Sequence, residues 1–336
     1  MAEKESNAIL VNEINQHPAT LAWRQINGSR APQAIEVLQK QKKSEVYRLL
    51  KGIRNGESII AKRCVTKTGK FERVIYEEIL PLLPVSQLHF YGSFQENDSY
   101  IWLFLADAGK SLFSITDKSH RGLAAHWLGG LHRFAPQTSA AEILPERGPS
   151  HYFELMQRAR ENILKNLANP IVVPADIDVL KRVLTQMDAL ESNWQNLLRF
   201  CEGIPPTLAH GDFRPKNVHV KQSPAGNVLY AMDWEMAGWG NPLVDLASSR
   251  GLSSEPQVDM LIYISIMQEV WPGLDIPTLR YFTQVGGIFR RLAAIYWSSL
   301  EMSTRWVEGP IRSMDIFHKE LSYAMGIVFG REFVND

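Results

Sequence analysis

Only two cysteines occur in the 336 residues, Cys64 and Cys201, and they stand far apart with no CxxC spacing. That excludes a disulfide framework and a thiolate zinc site as organising devices, and it suits a reducing cytoplasm. No stretch approaches the roughly 18 uninterrupted apolar residues of a membrane span, and the acidic start MAEKESNAILVNEINQH lacks a signal-peptide core. The expectation is a cytoplasmic chain with no membrane partner. Surplus charge is missing too: 36 Lys plus Arg balance 36 Asp plus Glu. A general nucleic-acid binder would show a basic excess, so nucleic acid is not an expected partner. Repeats, heptad runs and low-complexity tracts are also lacking. What remains is 45% apolar and 21% charged residues, the composition of an ordinary soluble enzyme. The length exceeds one core of usual size, so two domains or one domain with a large insertion are expected.

Along the chain, 34–65 reads as short strands: AIEVLQKQ, SEVYRLLKGI and SIIAKRCV. Asn55-Gly56, between two apolar runs, is the strongest hairpin signal. A helix is expected at about 71–80, stopped by Pro81, followed by two strands, QLHFYGSF and YIWLFLA, around the turn QENDS. Residues 1–106 therefore read as a small β-rich lobe. After Asp107 the periodicity becomes helical, in RGLAAHWLGGLHRF, in HYFELMQRARENILKNL and through 176–201, and again from Val258 onward. Residues 107–336 read as a larger helical lobe, broken by a strand-and-loop island at 208–234. Such breaks commonly carry catalytic loops.

The island contains LAHGDFRPKNVHV and, sixteen residues after Asn217, the aspartate of YAMDWEMAG. A hairpin with arms VHV and VLYAM brings Asn217 and Asp233 to one end. Two such oxygen donors suit Mg²⁺, which takes one or two carboxylates and completes its shell with phosphate oxygens and water. The loop also fits H-x-D-L-x-x-x-N with Phe213 for Leu, and Asp233 stands where the metal-binding Asp of D-F-G would stand.

On these two motifs the chain resembles the aminoglycoside phosphotransferase and choline kinase-like family, small-molecule relatives of the protein kinases. The resemblance is collinear over roughly 37–324: SIIAKRC resembles the third strand with its lysine, FERVIYEE the next helix, WLFLADAG the hinge, and LAAHWLGGLHRF a helix with Leu-His near its end. It implies an α+β, bilobal protein-kinase-like fold, with ATP or GTP as phosphoryl donor and Mg²⁺ as cofactor. By the same resemblance Asp212 accepts or orients the acceptor hydroxyl's proton, Arg214 faces the transferring phosphate, and Asn217 and Asp233 hold the metal. Lys62 contacts the α and β phosphates, with Glu72 as its partner by spacing and Glu77 or Glu78 as alternatives. Leu103 and Leu105 belong to the hinge strand against the nucleotide. Where relatives often have a glycine-rich phosphate loop, this chain has QKQKKSEVY, leaving Lys42, Lys43 and Ser44 to reach phosphates through side chains.

Blander readings compete at several positions. His210 reads as a structural residue bonding nearby backbone, and Asp245 in GNPLVDLA as a loop brace. Glu235 shares a strand face with Asp233 if the strand continues, which allows a metal or substrate contact. Trp271, Tyr296, Trp297 and Trp306 read mostly as core, with one or two of them left as candidates to line the acceptor pocket. The acceptor is expected to be a small hydroxylated molecule. The acidic residues Glu269, Glu301, Glu308, Asp315 and Glu320 suit a cationic one, such as an aminoglycoside, a basic peptide antibiotic of the viomycin and capreomycin type, or choline; a solvated helix face explains them nearly as well. A metabolite kinase for choline, ethanolamine, a sugar or homoserine is the alternative. The rival outside catalysis is a nucleotide-binding pseudokinase module, against which the joint presence of Asp212, Asn217, Asp233 and Lys62 argues.

Overall fold

The structure, a computed structural model, describes residues 11–28, 31–41, 43–53, 56–224, 226–248, 256–302 and 307–330. In chain order it runs α1 (Val11–Ile14), α2 (Pro18–Asn27), β1 (Ala34–Lys40), β2 (Ser44–Ile53), β3 (Glu57–Val65), α3 (Thr66–Val74), β4 (Phe90–Gln95), β5 (Tyr100–Ala106), α4 (Lys118–Phe134), α5 (Ala140–Ile143), β6 (Glu146–Arg147), α6 (Pro149–Asn166), α7 (Pro174–Ser192) and α8 (Trp194–Cys201). It continues with β7 (Thr207–Ala209), β8 (Val218–Ser223), β9 (Gly226–Ala231), β10 (Gly238–Gly240), α9 (Leu243–Leu246), α10 (Met260–Met267), α11 (Ile276–Glu301) and α12 (Glu308–Phe329). No described helix is long and apolar enough to cross a membrane.

Two compact units emerge, one of 1–113 with 216–235, the other of 114–215 with 236–336. The division expected from composition, at 106/107, puts everything after it in one lobe. By contacts the β8–β9 hairpin groups with the first unit, its backbone bonding the 107–113 segment. Phe113 N–H donates to Val218 O at 2.9 Å and Val220 N–H to Ser111 O at 3.0 Å. Composition does not register such long-range pairing.

The first unit is built on an antiparallel five-stranded sheet, ordered β1-β2-β3-β5-β4. Alternation along β3 sends Ile59 and Ala61 to one face, and Ile60, Lys62 and Cys64 to the other. The first face joins Ile35, Tyr47, Leu49, Trp102 and Phe104 and is sealed by Ala19, Ala22 and Trp23 of α2. Helix α2 starts on Pro18, with the His17 side chain accepting from Ala19 N–H at 3.2 Å, and ends on Gly28 at φ 79°. The sequence reading assigned no element there. On the other face Cys64, Ile101 and Leu103 pack with Phe90. The helix expected at 71–80 starts earlier, at Thr66. It widens into a π turn at Ile75–Ile79 and ends in a 3-10 turn over Leu80–Leu82, where Pro81 supplies no N–H. The turn expected at Asn55-Gly56 lies partly outside the described residues, as do Lys42 and Trp306.

In the second unit α11 is the spine, packing against α6, α9 and α12, while α4 packs on α10. The single helical period seen at 176–201 resolves into two helices, α7 and α8, broken at Asn193, whose side-chain amide donates to Ala189 O at 2.9 Å. A small sheet ordered β6-β10-β7 delivers the chain from β7 into the His210 loop.

Candidate active site

In the first unit Lys62 leaves β3 from the face opposite the Trp23 core. Its Nζ lies 2.6 Å from Glu72 Oε1, on α3, and 2.7 Å from Asp233 Oδ1, after β9. Burial alone would lower the lysine's pKa, but the two carboxylates outweigh it and hold Lys62 charged, well above the ordinary value. Glu72 is fully buried, and its second oxygen has no hydrogen-bond partner among the described residues. Of the three glutamates considered from spacing, Glu72 is therefore the one that pairs with Lys62; Glu77 and Glu78 are exposed.

Hairpin register brings Asn217 beside Asp233. Val218 pairs with Ala231, and Met232 N–H donates to Asn217 O at 3.0 Å. Asn217 is buried, and Asp233 adopts φ 67°, a left-handed conformation uncommon outside glycine that often marks a functional constraint. One amide oxygen and one carboxylate are the donors that Mg²⁺ accepts when phosphate oxygens and water supply the rest. No group of three or more His, Cys, Asp or Glu able to hold a metal by itself occurs among the described residues. Trp234 and Glu235 lie in a 3-10 turn rather than on a continued strand, so the shared strand face expected for Glu235 and Asp233 does not form.

Leu103 and Leu105 are buried, paired in register with Lys62 and Ile60, and so share the lysine's face. Ser44 opens β2, and Lys43 is exposed beside it. On that same face Arg48 pairs with Ile60 in register, and its guanidinium reaches Asp107 at 2.7 Å and Glu36 at 2.8 Å. The sequence reading passed over this triad, which joins β1, β2 and the end of β5.

The second unit holds the His210 loop. Asp245, fully buried on α9, accepts the N–H groups of His210 at 2.6 Å and Gly211 at 2.8 Å. Its Oδ2 is 3.4 Å from His132 Nε2, whose Nδ1 meets the Tyr263 hydroxyl at 2.9 Å. His210 is buried, and its Nδ1 accepts Asp212 N–H at 3.3 Å. Gly211 has φ 78°, and a Cβ there would sit 2.3 Å from Met236 O, so the loop admits only glycine at this point. Arg214 Nε lies 2.7 Å from Asp212 Oδ1, which places the two loop side chains together. The Phe213 carbonyl is held by Gln257 Nε2 at 2.7 Å and Arg290 Nη1 at 3.2 Å. Sequence reasoning missed Gln257 and Arg290; the signal for the latter was a pair of arginines inside the apolar GGIFRRLAAIYW.

The acidic residues expected to face an acceptor are largely matched within the chain. Glu269 pairs with Arg133, Asp315 lies 2.6 Å from Lys319 and 3.3 Å from Arg182, and Glu320 is 2.8 Å from Arg291. Glu301 and Glu308 are exposed. Trp271 is buried, whereas Trp297 is 44% exposed and does not belong to the core.

The same architecture occurs in solved structures of low sequence identity. The GDP and kanamycin complex of APH(2")-IIia superposes with a TM-score of 0.61 at 15% identity, over 88% of this chain and 96% of that one. The choline kinase of Cryptosporidium parvum Iowa II gives 0.57 at 11%, over 89% and 91%. The ethanolamine kinase of Plasmodium vivax gives 0.55 at 14%, over 84% and 80%. No curated protein sequence matches the chain. A family model does: that of the phosphotransferase enzyme family spans residues 79–273, from the end of α3's π turn through the His210 loop, the hairpin and Asp245. The chain belongs to the phosphotransferase enzyme family.

Proposed function

We propose that this phosphotransferase moves the γ-phosphoryl group of ATP or GTP to a hydroxyl of a small polar molecule, with Asp212 as base. An antibiotic of the aminoglycoside or basic-peptide type is the first candidate. The observation that carries the reading is Lys62, buried and charged between Glu72 and Asp233. A cation so fixed needs no reorganisation when phosphates arrive, and preorganised charge is the main resource of phosphoryl transfer. Lys62 would bind the α and β phosphates and Arg214 the transferring group. Asn217 and Asp233 would hold Mg²⁺, which neutralises phosphate charge. Asp212 would orient the acceptor hydroxyl and take its proton, on a loop whose backbone Asp245 fixes. The GDP and kanamycin complex of APH(2")-IIia supports a nucleotide donor and an antibiotic acceptor by analogy of fold.

A second reading, a metabolite kinase, is favoured by the acceptor-side charges. In the second unit the acidic residues offered for a cationic acceptor are already ion-paired: Glu269 with Arg133, Asp315 with Lys319 and Arg182, and Glu320 with Arg291. Carboxylates neutralised within the chain suit a neutral or zwitterionic acceptor such as a sugar or homoserine better than a polycation. A nucleotide-consumption screen over antibiotics and hydroxylated metabolites separates the two. With the acceptor it finds, Asp212→Asn should cut kcat by about 100-fold or more while the nucleotide KM stays near the parent's. Turnover within about tenfold of the parent would remove Asp212 as the base.

A further inference from the structure

Arg290 stands in the middle of α11, and its Nη1 donates to two carbonyls that are distant in sequence, Phe213 O and Ala247 O, both at 3.2 Å. The first belongs to the residue after Asp212. The second closes α9, the helix whose Asp245 accepts the N–H groups of His210 and Gly211. One guanidinium therefore ties the C-terminal side of the loop to the element that already holds its N-terminal side. Gln257 repeats the link, with Nε2 donating to Phe213 O and also to Asp245 O.

The charge is enclosed as well. Nη2 is sealed from solvent and has no hydrogen-bond partner among the described residues. Burial pulls the guanidinium down to about 10, with Asp212 opposing that pull, Arg291 and Arg214 adding to it, and Asp245 opposing it more weakly. It stays protonated at neutral pH. A neutral glutamine or a backbone N–H would satisfy the Phe213 carbonyl at far smaller desolvation cost. What those substitutes lack is an enclosed positive charge seated on the carbonyl of the residue next to Asp212.

We propose that Arg290 is a positioning residue of the catalytic loop, locking the backbone on which Asp212 stands and setting a fixed positive charge against its carboxylate. The proposal rests on Asp212 being the base. Its chemistry is electrostatic and geometric: Arg290 forms and breaks no bond with substrate, and Lys62 and Arg214 remain the phosphate-facing cations.

The test uses the full chain with Arg290→Met and Arg290→Lys, reading Mg·ATP and Mg·GTP hydrolysis with water as acceptor, together with hydrogen exchange of the 207–217 backbone. Arg290→Met should lower kcat by about 100-fold, the cost of misplacing a reacting group by about 1 Å, and leave the nucleotide KM within about twofold. Exchange at 211–214 should accelerate. Arg290→Lys, which keeps the charge but loses the planar fork, should recover part of the rate. A kcat for Arg290→Met within about threefold of the parent overturns the proposal, as does a nucleotide KM that rises as far as kcat falls. If the Met variant does not fold, the Lys variant decides: parental kcat and parental exchange overturn the idea, and a lower kcat at unchanged Tm supports it. If Asp212→Asn loses no activity, the base assignment fails by itself; exchange at 211–214 then still decides whether Arg290 locks the loop.

Discussion

Lys62 is a structural commitment of the first unit, whatever chemistry it serves. It meets two carboxylates at once, and Glu72 sits at 1% side-chain exposure with no other cation in hydrogen-bond range among the described residues. Lys62→Met should therefore cost on the order of 3–5 kcal/mol, the usual penalty for leaving a buried charge unpaired, less whatever Glu72 regains by taking up a proton. Replacing both, as Lys62→Met with Glu72→Leu, should return much of that loss because an apolar pair of similar volume needs no desolvation. Urea unfolding of the parent, single and double variants checks this, and a double variant no more stable than the single would contradict it. The family resemblance of SIIAKRC picked out Lys62 and spacing favoured Glu72, because a strand motif and a glutamate on the next helix are local facts. That Asp233, 171 residues further on, shares the same ammonium is a fact of folding alone.

At the scale of elements, α11 is placed by a glycine. A Cβ on Gly286 would lie 2.0 Å from Leu243 O, so α11 and α9 approach closer than any side chain permits. Gly286→Ala must push apart the helix carrying Arg290 and the helix carrying Asp245, the two supports of the His210 loop. Overpacking of this kind costs about 1–3 kcal/mol. Activity should fall further than stability because the displacement reaches Asp212's loop from both sides; Tm and kcat measured on one preparation check it, and an unchanged kcat would show that the loop tolerates the shift. The helical period of α11 was legible in the sequence, whereas its close contact was not, since a glycine in a helix reads the same with or without a neighbour. The α2 cap over the sheet escaped for a related reason. Its apolar side chains, Ala19, Ala22 and Trp23, are few and small apart from one tryptophan, and they acquire meaning only against the sheet's Phe104 and Trp102.

For the molecule as a whole, the histidines set a pH window. His17, His151, His219 and His318 are all held below the ordinary histidine value, burial being the first cause in each. His151 falls to about 4, with Arg147 and Arg158 adding to the burial, and Arg147 Nη1 lies 3.1 Å from both ring nitrogens, one of which accepts only while the ring is neutral. Between about 4 and 6.5 the unfolded chain thus binds more protons at these sites than the folded one, so stability is lost as pH falls through that window. His151 alone should account for on the order of 1 kcal/mol, since its ring is only partly enclosed. Buried Glu72, raised to about 7, acts with the opposite sign over the same range, so the test is a difference: between pH 7.5 and pH 5 the thermal melt of His151→Gln should fall less, or rise more, than that of the parent. Equal slopes for parent and variant would remove His151 from the account.

The sequence alone determined the family-level features: the strand-rich and helical halves, the loop with Asp212 and Asn217, and the partner aspartate at Asp233. These are set by short-range periodicity and by fixed spacing, which need no knowledge of what packs where. Tertiary structure alone decided which unit the β8–β9 hairpin joins, which carboxylates Lys62 neutralises, and which groups hold the His210 loop. Those outcomes depend on hydrogen bonds and desolvation between residues tens to hundreds of positions apart, such as Arg290 with Phe213 or Asp245 with His210. A buried charge has an energetic meaning only once its partners are in place, and the linear order of residues does not contain that information in any local pattern.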